Sequence, residues 1–183
     1  MTSSAIARLM DEHQLILGVL EALDAFADAH RGGGEDRPTL ARFARFVAEF
    51  ADARHHGKEE DLLFTAMVDA GLPRDAGPIA VMLMEHGEGR AHLGRLRGLV
   101  EGTRPWDDAD RATLWDAAHG YTDLLRGHIQ KEDEVLYPMA AARLTADAMA
   151  RLDAACAAFD EAKATSGVAL RALGDELIAR WIE

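Results

Sequence analysis

Two ten-residue stretches of the chain are near copies of one another: His55-His56-Gly57-Lys58-Glu59-Glu60-Asp61-Leu62-Leu63-Phe64 and His128-Ile129-Gln130-Lys131-Glu132-Asp133-Glu134-Val135-Leu136-Tyr137. Each sets a histidine four residues ahead of a glutamate. On an α-helix, residues four apart stand on one face, with Cβ atoms about 5–6 Å apart. An imidazole and a carboxylate so placed can grip one metal ion or two adjacent ones. A chain that carries the pair twice is constrained to fold so that two helices face each other across a shared interior.

The remaining pattern is helical. Ile6, Leu9, Met10, His13, Ile16, Leu17 and Leu20 define a first helix, which Thr2, Ser3 or Ser4 can cap and which Gly32-Gly33-Gly34 ends. Asp36-Arg37-Pro38 opens a second helix (Leu40, Phe43, Val47, Phe50, His55, Glu59, Leu62, Leu63), and Gly71-Leu72-Pro73 breaks it. A third starts near Gly77-Pro78 and carries Ile79, Met82, Leu83, His86, Leu93, Leu96 and Val100. The fourth, capped by Asp107 or Asp108, carries Leu114, Tyr121, Leu124, Leu125, His128, Glu132, Val135 and Met139, with Pro138 at its frayed end. Thr145 can cap a fifth helix, and Ser166-Gly167 separates it from a short last one. Short loops between long amphipathic helices predict an all-α, up-down-up-down four-helix bundle over residues 1–143. Residues 144–183 are expected as a C-terminal helical extension packed on the bundle or on a partner.

Six polar residues interrupt the apolar stripes: His13, His55, Glu59, His86, His128 and Glu132. Burying one such group unpaired costs a few kcal/mol, and a lone carboxylate costs more. The six share a height. His13 and His55 are centred on residue 34, His55/Glu59 and His86 near 72, and His86 and His128/Glu132 near 108. All three centres fall in or within about a turn of the interhelical loops. Antiparallel helices climb about 1.5 Å per residue in opposite directions, so residues equidistant from a turn meet at one level. Four imidazoles and two carboxylates suit first-row transition metals better than calcium or magnesium, and two irons bridged by Glu59 and Glu132 fit this set best, with zinc or manganese possible.

With these residues the chain resembles the hemerythrin-like, or HHE cation-binding, family over about residues 5–140, on His13, His55-x-x-x-Glu59, His86 and His128-x-x-x-Glu132. The segment from Gly77 to His86 is also similar to the third-helix segment of di-iron proteins implicated in iron–sulfur cluster repair, although the extra cysteine-bearing N-terminal domain of those proteins is not expected here. Oxygen-carrying hemerythrins have a second third-helix histidine four residues from the first; here Met82 and Arg90 stand four residues either side of His86. Their last carboxylate is an aspartate five residues after its histidine, the place of Asp133, whereas the internal repeat selects Glu132. The resemblance implies a non-haem di-iron protein that binds or reacts with O₂, peroxide or NO, with catalase-like or oxidase-like turnover. The alternatives are a metal- or gas-dependent sensor acting through the tail, and iron storage or donation, including cluster repair.

Composition narrows the partners. With Lys+Arg 20 against Asp+Glu 32, the net charge of −12 repels nucleic acid and anionic membranes. No secretory leader or membrane span is expected, which makes the cytoplasm the default location. A protein partner or a homodimer would use the C-terminal helices. Cys156 reads as a small core residue, and Met10, Met67, Met82, Met84 and Met139 as core filler. His56 and Glu60 form a second i,i+4 pair about 100° round the helix, an alternative ligand pair to His55 and Glu59; otherwise they are expected to lie behind the ligands or on the solvated face. Arg90 is expected at the surface or on a site carboxylate, Tyr121 in the core, and His30, His92 and His119 in solvent.

Overall fold

A computed structural model describes residues 4–182. The caps expected at Thr2 and Ser3 lie outside the described residues. Six helices follow in order: α1 (Ser4–His30), α2 (residues 37–69), α3 (Gly77–Glu101), α4 (residues 108–143), α5 (Ala146–Ala162) and α6 (Ala164–Trp181). There is no strand among the described residues.

The first four helices are antiparallel neighbours. Phe26 meets Phe43 at 5.4 Å between ring centroids, and His13 meets His55 at 4.7 Å, both pairs centred on the glycine turn. Gly34 there has φ +84°, a conformation that suits glycine. The starts of α2 and α4 are capped as their sequences predict. Asp36 accepts from the Thr39 N–H at 3.0 Å. Asp107 and Asp110 form a reciprocal capping box at 3.0 and 3.1 Å.

α2 and α4 are not α-helical throughout. Val47–His56 and Glu59–Leu63 in α2, and Glu132–Leu136 in α4, are π-helical. Such widened turns are rare and cluster at functional sites, and here they coincide with the duplicated His/Glu segments. The widened turn before Pro138 also corrects one expectation. Proline lacks an N–H, but the hydrogen-bond ladder is already changing register there, and the helix continues through Tyr137–Arg143 instead of fraying.

Two apolar clusters sandwich a polar layer. One holds Leu20, Leu23, Phe26, Phe43, Phe50, Leu96, Leu114 and Tyr121 toward the end of the bundle that carries the glycine turn. The other holds Ile6, Leu9, Leu63, Phe64, Met67, Ile79, Leu136 and Tyr137 toward the opposite end. Cys156 belongs to the second cluster, and burial pushes its thiol up to about 11. Met67 and Met82 are core residues, whereas Met10 and Met84 lie at the surface, contrary to the reading of all the methionines as filler. No helix among the described residues is long and apolar enough to cross a membrane.

The tail packs on the bundle. Leu170 and Leu177 of α6 join the first cluster, and Leu152 and Cys156 of α5 join the second. Thr145 caps α5, accepting from the Ala148 N–H at 3.2 Å. The break between the last two helices falls at Lys163, and Ser166 and Gly167 are inside α6. Gly167 is there for close approach: a Cβ would stand 2.8 Å from Nη1 of Arg54, whose guanidinium holds Asp160 at 2.6 Å and the Lys163 carbonyl at 3.2 Å. Gly167→Leu is expected to lower stability by about 1–3 kcal/mol through overpacking, read as a drop in thermal midpoint with helicity retained at low temperature.

Candidate metal centre

All six residues selected from the sequence lie in the polar layer, each essentially fully buried. They form two imidazole pairs. His13 and His55 bring their Nε2 atoms to 3.0 Å, and His86 and His128 do the same at 3.0 Å. The two carboxylates sit between the pairs. Glu132 reaches His13 through Oε2 at 3.2 Å and His128 through Oε1 at 3.1 Å. Glu59 Oε2 stands 3.7 Å from His55 and 3.5 Å from His86. Two glutamates, each touching both pairs, have the placement of bridges between two positions about the histidine pairs.

Each histidine is oriented from behind by an acid side chain. Nδ1 lies 2.9 Å from Asp133 for His13, 2.9 Å from Glu12 for His55, 2.7 Å from Glu60 for His86, and 2.8 Å from Glu85 for His128. A carboxylate on Nδ1 fixes the N–H there and leaves the Nε2 lone pair facing inward, as metal-binding histidines are usually held. Four inward lone pairs and two carboxylates then face one another, and only cations can satisfy them. Oε2 of Glu59 and both oxygens of Glu132 are buried without a hydrogen-bond partner. The layer thus offers nitrogen and oxygen donors in excess of any proton donors, which fits transition ions.

In the metal-free chain, protons serve where ions would. Burial and the neighbouring Glu132 push the Glu59 carboxyl well up. Burial pushes Glu132 up as well, but the close imidazoles of His128 and His13, at 3.1 and 3.2 Å, prevail and hold it well down. His128 is pushed up by Glu132 and Glu85 against its burial. Burial lowers His55 to about 4 and also lowers His86. Glu12 is held at about 2, since its bonds to His55 and Lys58 outweigh its burial. A metal must therefore displace protons from Glu59 and His128, both raised above their ordinary values of 4.5 and 6.5. Affinity for a divalent probe such as Zn²⁺ is expected to fall as pH drops from about 7.5 to 5.5, by up to about tenfold per unit for each proton displaced. Competition titration against a chromophoric chelator reads this directly, and affinity independent of pH would contradict the protonation scheme.

The sequence pattern missed the orienting acids as a set. Glu12, His13, His55, Lys58, Glu59 and Glu60 recur 73 positions later as Glu85, His86, His128, Lys131, Glu132 and Asp133. The repeat therefore spans the acids and lysines as well as the ligand candidates, and a search at that offset would have exposed them. Glu60 turns out to serve His86 and not to pair with His56. Asp133 holds His13 from behind, which leaves Glu132 as the inner carboxylate.

His56 is the main correction. It is buried, with its ring stacked on His86 at 3.8 Å, and it is neither on the solvated face nor bonded behind another histidine. The π-helical register and the packing of α3 place His55 and His56 both inside. His56, Glu59, His86 and His128 offer donor atoms within 4.8 Å of one another, as do His13, His55, Glu59 and Glu132. Arg90 pairs with Glu60 at 2.7 Å and with Asp52 at 2.7 Å. Tyr121 is buried in the core. His30, His92 and His119 lie outside the layer and are half-buried, not fully in solvent; His119 bonds Asp28 at 3.1 Å. Tyr137, read only as the end of the repeat, donates to Glu59 at 2.6 Å and stacks over His13 at 5.6 Å.

A four-helix bundle with a buried layer of four histidines and two glutamates defines a class of non-haem metal-binding proteins. Residues 4–140 match the family described as the Hemerythrin HHE cation binding domain, and the chain belongs to that family. Among its relatives are the iron–sulfur cluster repair protein YtfE of Musicola paradisiaca, 36% identical over 48% of this chain and 40% of its own length, and a probable iron–sulfur cluster repair protein of Haemophilus influenzae, 28% identical over 75% of this chain and 63% of its own. The corresponding YtfE protein of Salmonella schwarzengrund is 36% identical over 58% of this chain and 51% of its own length. The chain thus spans about half the length of these curated relatives. No solved structure shows significant similarity to it.

Proposed function

We propose that the chain holds two iron ions in this layer, one among His13, His55, Glu59 and Glu132 and the other among His86, His128, Glu59 and Glu132, and that it reacts there with O₂, peroxide or NO. The observation that carries the proposal is the convergence of four Nε2 atoms, each with its Nδ1 committed to a carboxylate, on two buried glutamates that touch both pairs. Zinc and manganese suit the same donors less specifically. Bound iron would supply the redox and Lewis-acid chemistry. The residues do the rest. Asp133, Glu12, Glu60 and Glu85 fix the imidazoles. Tyr137 holds one oxygen of Glu59 and leaves Oε2 to face both pairs. The apolar clusters above and below the layer exclude bulk water from it.

A second reading is iron donation or cluster repair in the cytoplasm, supported by the names of the relatives. Iron analysis with an optical spectrum of the anaerobically loaded protein tests the centre. About two irons per chain, with oxo-to-iron charge-transfer bands after exposure to air, is the expected result. A folded protein that takes up no iron would overturn it. Peroxide turnover above that of free iron, set against iron transfer to an apo-ferredoxin, separates the two readings.

A further inference from the structure

The histidine layer is built from an internal repeat, and the tail lies outside that repeat. Asp160 of α5 nevertheless reaches into one half of the layer. Its half-buried carboxylate receives Arg54 at 2.6 Å and Lys58 at 3.2 Å. Lys58 also donates to Glu12 at 2.5 Å, and Arg54 stands 3.9 Å from the same carboxylate. The other oxygen of Glu12 lies 2.9 Å from Nδ1 of His55. An unbroken path therefore runs from Asp160 through Lys58 and Glu12 to an inward-facing imidazole.

The repeat shows what is peculiar to this half. The places of Arg54, Lys58 and Glu12 are taken in the other half by Gly127, Lys131 and Glu85. There one cation faces one acid, and Lys131 is open to water. In the His55 half two cations, with side chains only 10% and 1% exposed, share Glu12. The extra cation, Arg54, comes with an extra acid, Asp160, and the four charges cancel. Without Asp160, a net positive charge would be left beside a place built to receive a cation, where little water screens it. Lys58 and Arg54 would also fall to Glu12 alone and draw its carboxylate away from His55. An acid that orients a metal-binding histidine sets both the direction and the basicity of the ring. Both effects therefore act in one direction, against a cation at His13 and His55.

We propose that Asp160 is a positioning residue for the ion held by His13 and His55, acting through Lys58 and Glu12, and that occupancy of this position and docking of α5 reinforce each other. The inference rests on the proposed paired centre and gives the tail a part in it. Coupling of this kind is reciprocal: the factor that docked α5 adds to the affinity for the ion is the factor that the ion adds to the docking of α5. The other position is independent of the tail. His86 and His128 are backed by Glu60 and Glu85, whose cations, Arg90 and Lys131, belong to the bundle itself.

The test is Zn²⁺ titration of the full chain against a chromophoric chelator, for wild type, Asp160→Asn, Asp160→Glu and Asp175→Asn. Asp160→Asn keeps the shape of the side chain and removes its charge. Asp175, exposed on α6, controls for the loss of a tail charge elsewhere. All four proteins are expected to take up two ions. In Asp160→Asn one of the two should bind at least about fivefold more weakly and the other as before. Asp160→Glu should restore most of the loss, and Asp175→Asn should show none. In hydrogen exchange, Zn²⁺ should slow the α5 amides of wild type, and slow them less in Asp160→Asn. Equal weakening of both ions would make Asp160 merely structural and overturn the inference. Unchanged affinity in Asp160→Asn with two ions bound would overturn it while leaving the centre intact. If Asp160→Asn does not fold, α5 amides of wild type that exchange alike with and without Zn²⁺ are the overturning result. A wild type that takes up no pair of ions removes the centre and this inference together.

Discussion

Glu59→Ala is expected to abolish paired metal binding, taking the chain from about two ions to one or fewer, whereas Glu60→Ala should retain both ions at about 10–100-fold lower affinity. Glu59 is fully buried, and its Oε2 faces both imidazole pairs, at 3.7 Å from His55 and 3.5 Å from His86. Removing it takes away a donor common to both positions. Glu60 touches only Nδ1 of His86, at 2.7 Å, and shares its carboxylate with Arg90. Its loss frees the ring to turn but removes no inward donor. Metal content after dialysis against a weak chelator reads the difference. The reverse outcome, metal lost with Glu60→Ala and kept with Glu59→Ala, would show the centre to be built on His56 and Glu60.

The second large effect concerns stability in the absence of metal. Glu12→Ala is expected to destabilise the apo-protein by about 3–5 kcal/mol, the range for stranding one member of a buried ion pair. Glu12 receives Lys58 at 2.5 Å and His55 at 2.9 Å, and Lys58 is 1% exposed. Without Glu12, the ammonium keeps only Asp160 of α5, at 3.2 Å. The repeat supplies an internal control. Glu85 stands in the same relation to His128 and Lys131, but Lys131 is 43% exposed and can turn to water. Glu85→Ala should therefore cost about 1 kcal/mol. Urea unfolding of the two metal-free variants measures both. Equal losses would mean that burial of the lysine does not set the cost.

The contrast arises from the tail. α5 and α6 cover the His13/His55 side of the layer, where Asp160 gathers Lys58 and Arg54. Through Lys58, Glu12 and His55, the tail is connected to one half of the centre by an unbroken chain of charged contacts. The other half carries a cleft whose lining includes Asp52, His56, His86, Gly89, Arg90 and Tyr121.

Much of this was legible in the chain itself. The spacing of apolar residues and the glycine and proline breaks set out four long helices, because burying one face of a helix imposes a period on its sequence. The heights of His13, His55, Glu59, His86, His128 and Glu132 followed from counting residues back to each turn, because helical rise is constant. Local spacing could not reveal which groups stand behind the ligands. The acid that serves His55 lies on α1, and the acid that serves His13 lies on α4. Such pairings depend on which helices are neighbours and how each is rotated. His56 was misplaced for a related reason. A regular α-helix turns it away from His55, and only the π-helical stretch and the packing of α3 bring both inside. Gly167 read as a break because glycine is a poor helix former, yet the Arg54 guanidinium pressed against it leaves no room for a larger residue.

The sequence by itself determined the helical bundle and the level at which His13, His55, Glu59, His86, His128 and Glu132 meet, because both depend on periodicities within one chain segment. Only the tertiary structure decided which acid orients which histidine, where His56 lies, and which side of the layer the tail covers, because those depend on rotations and contacts between helices that local spacing does not encode.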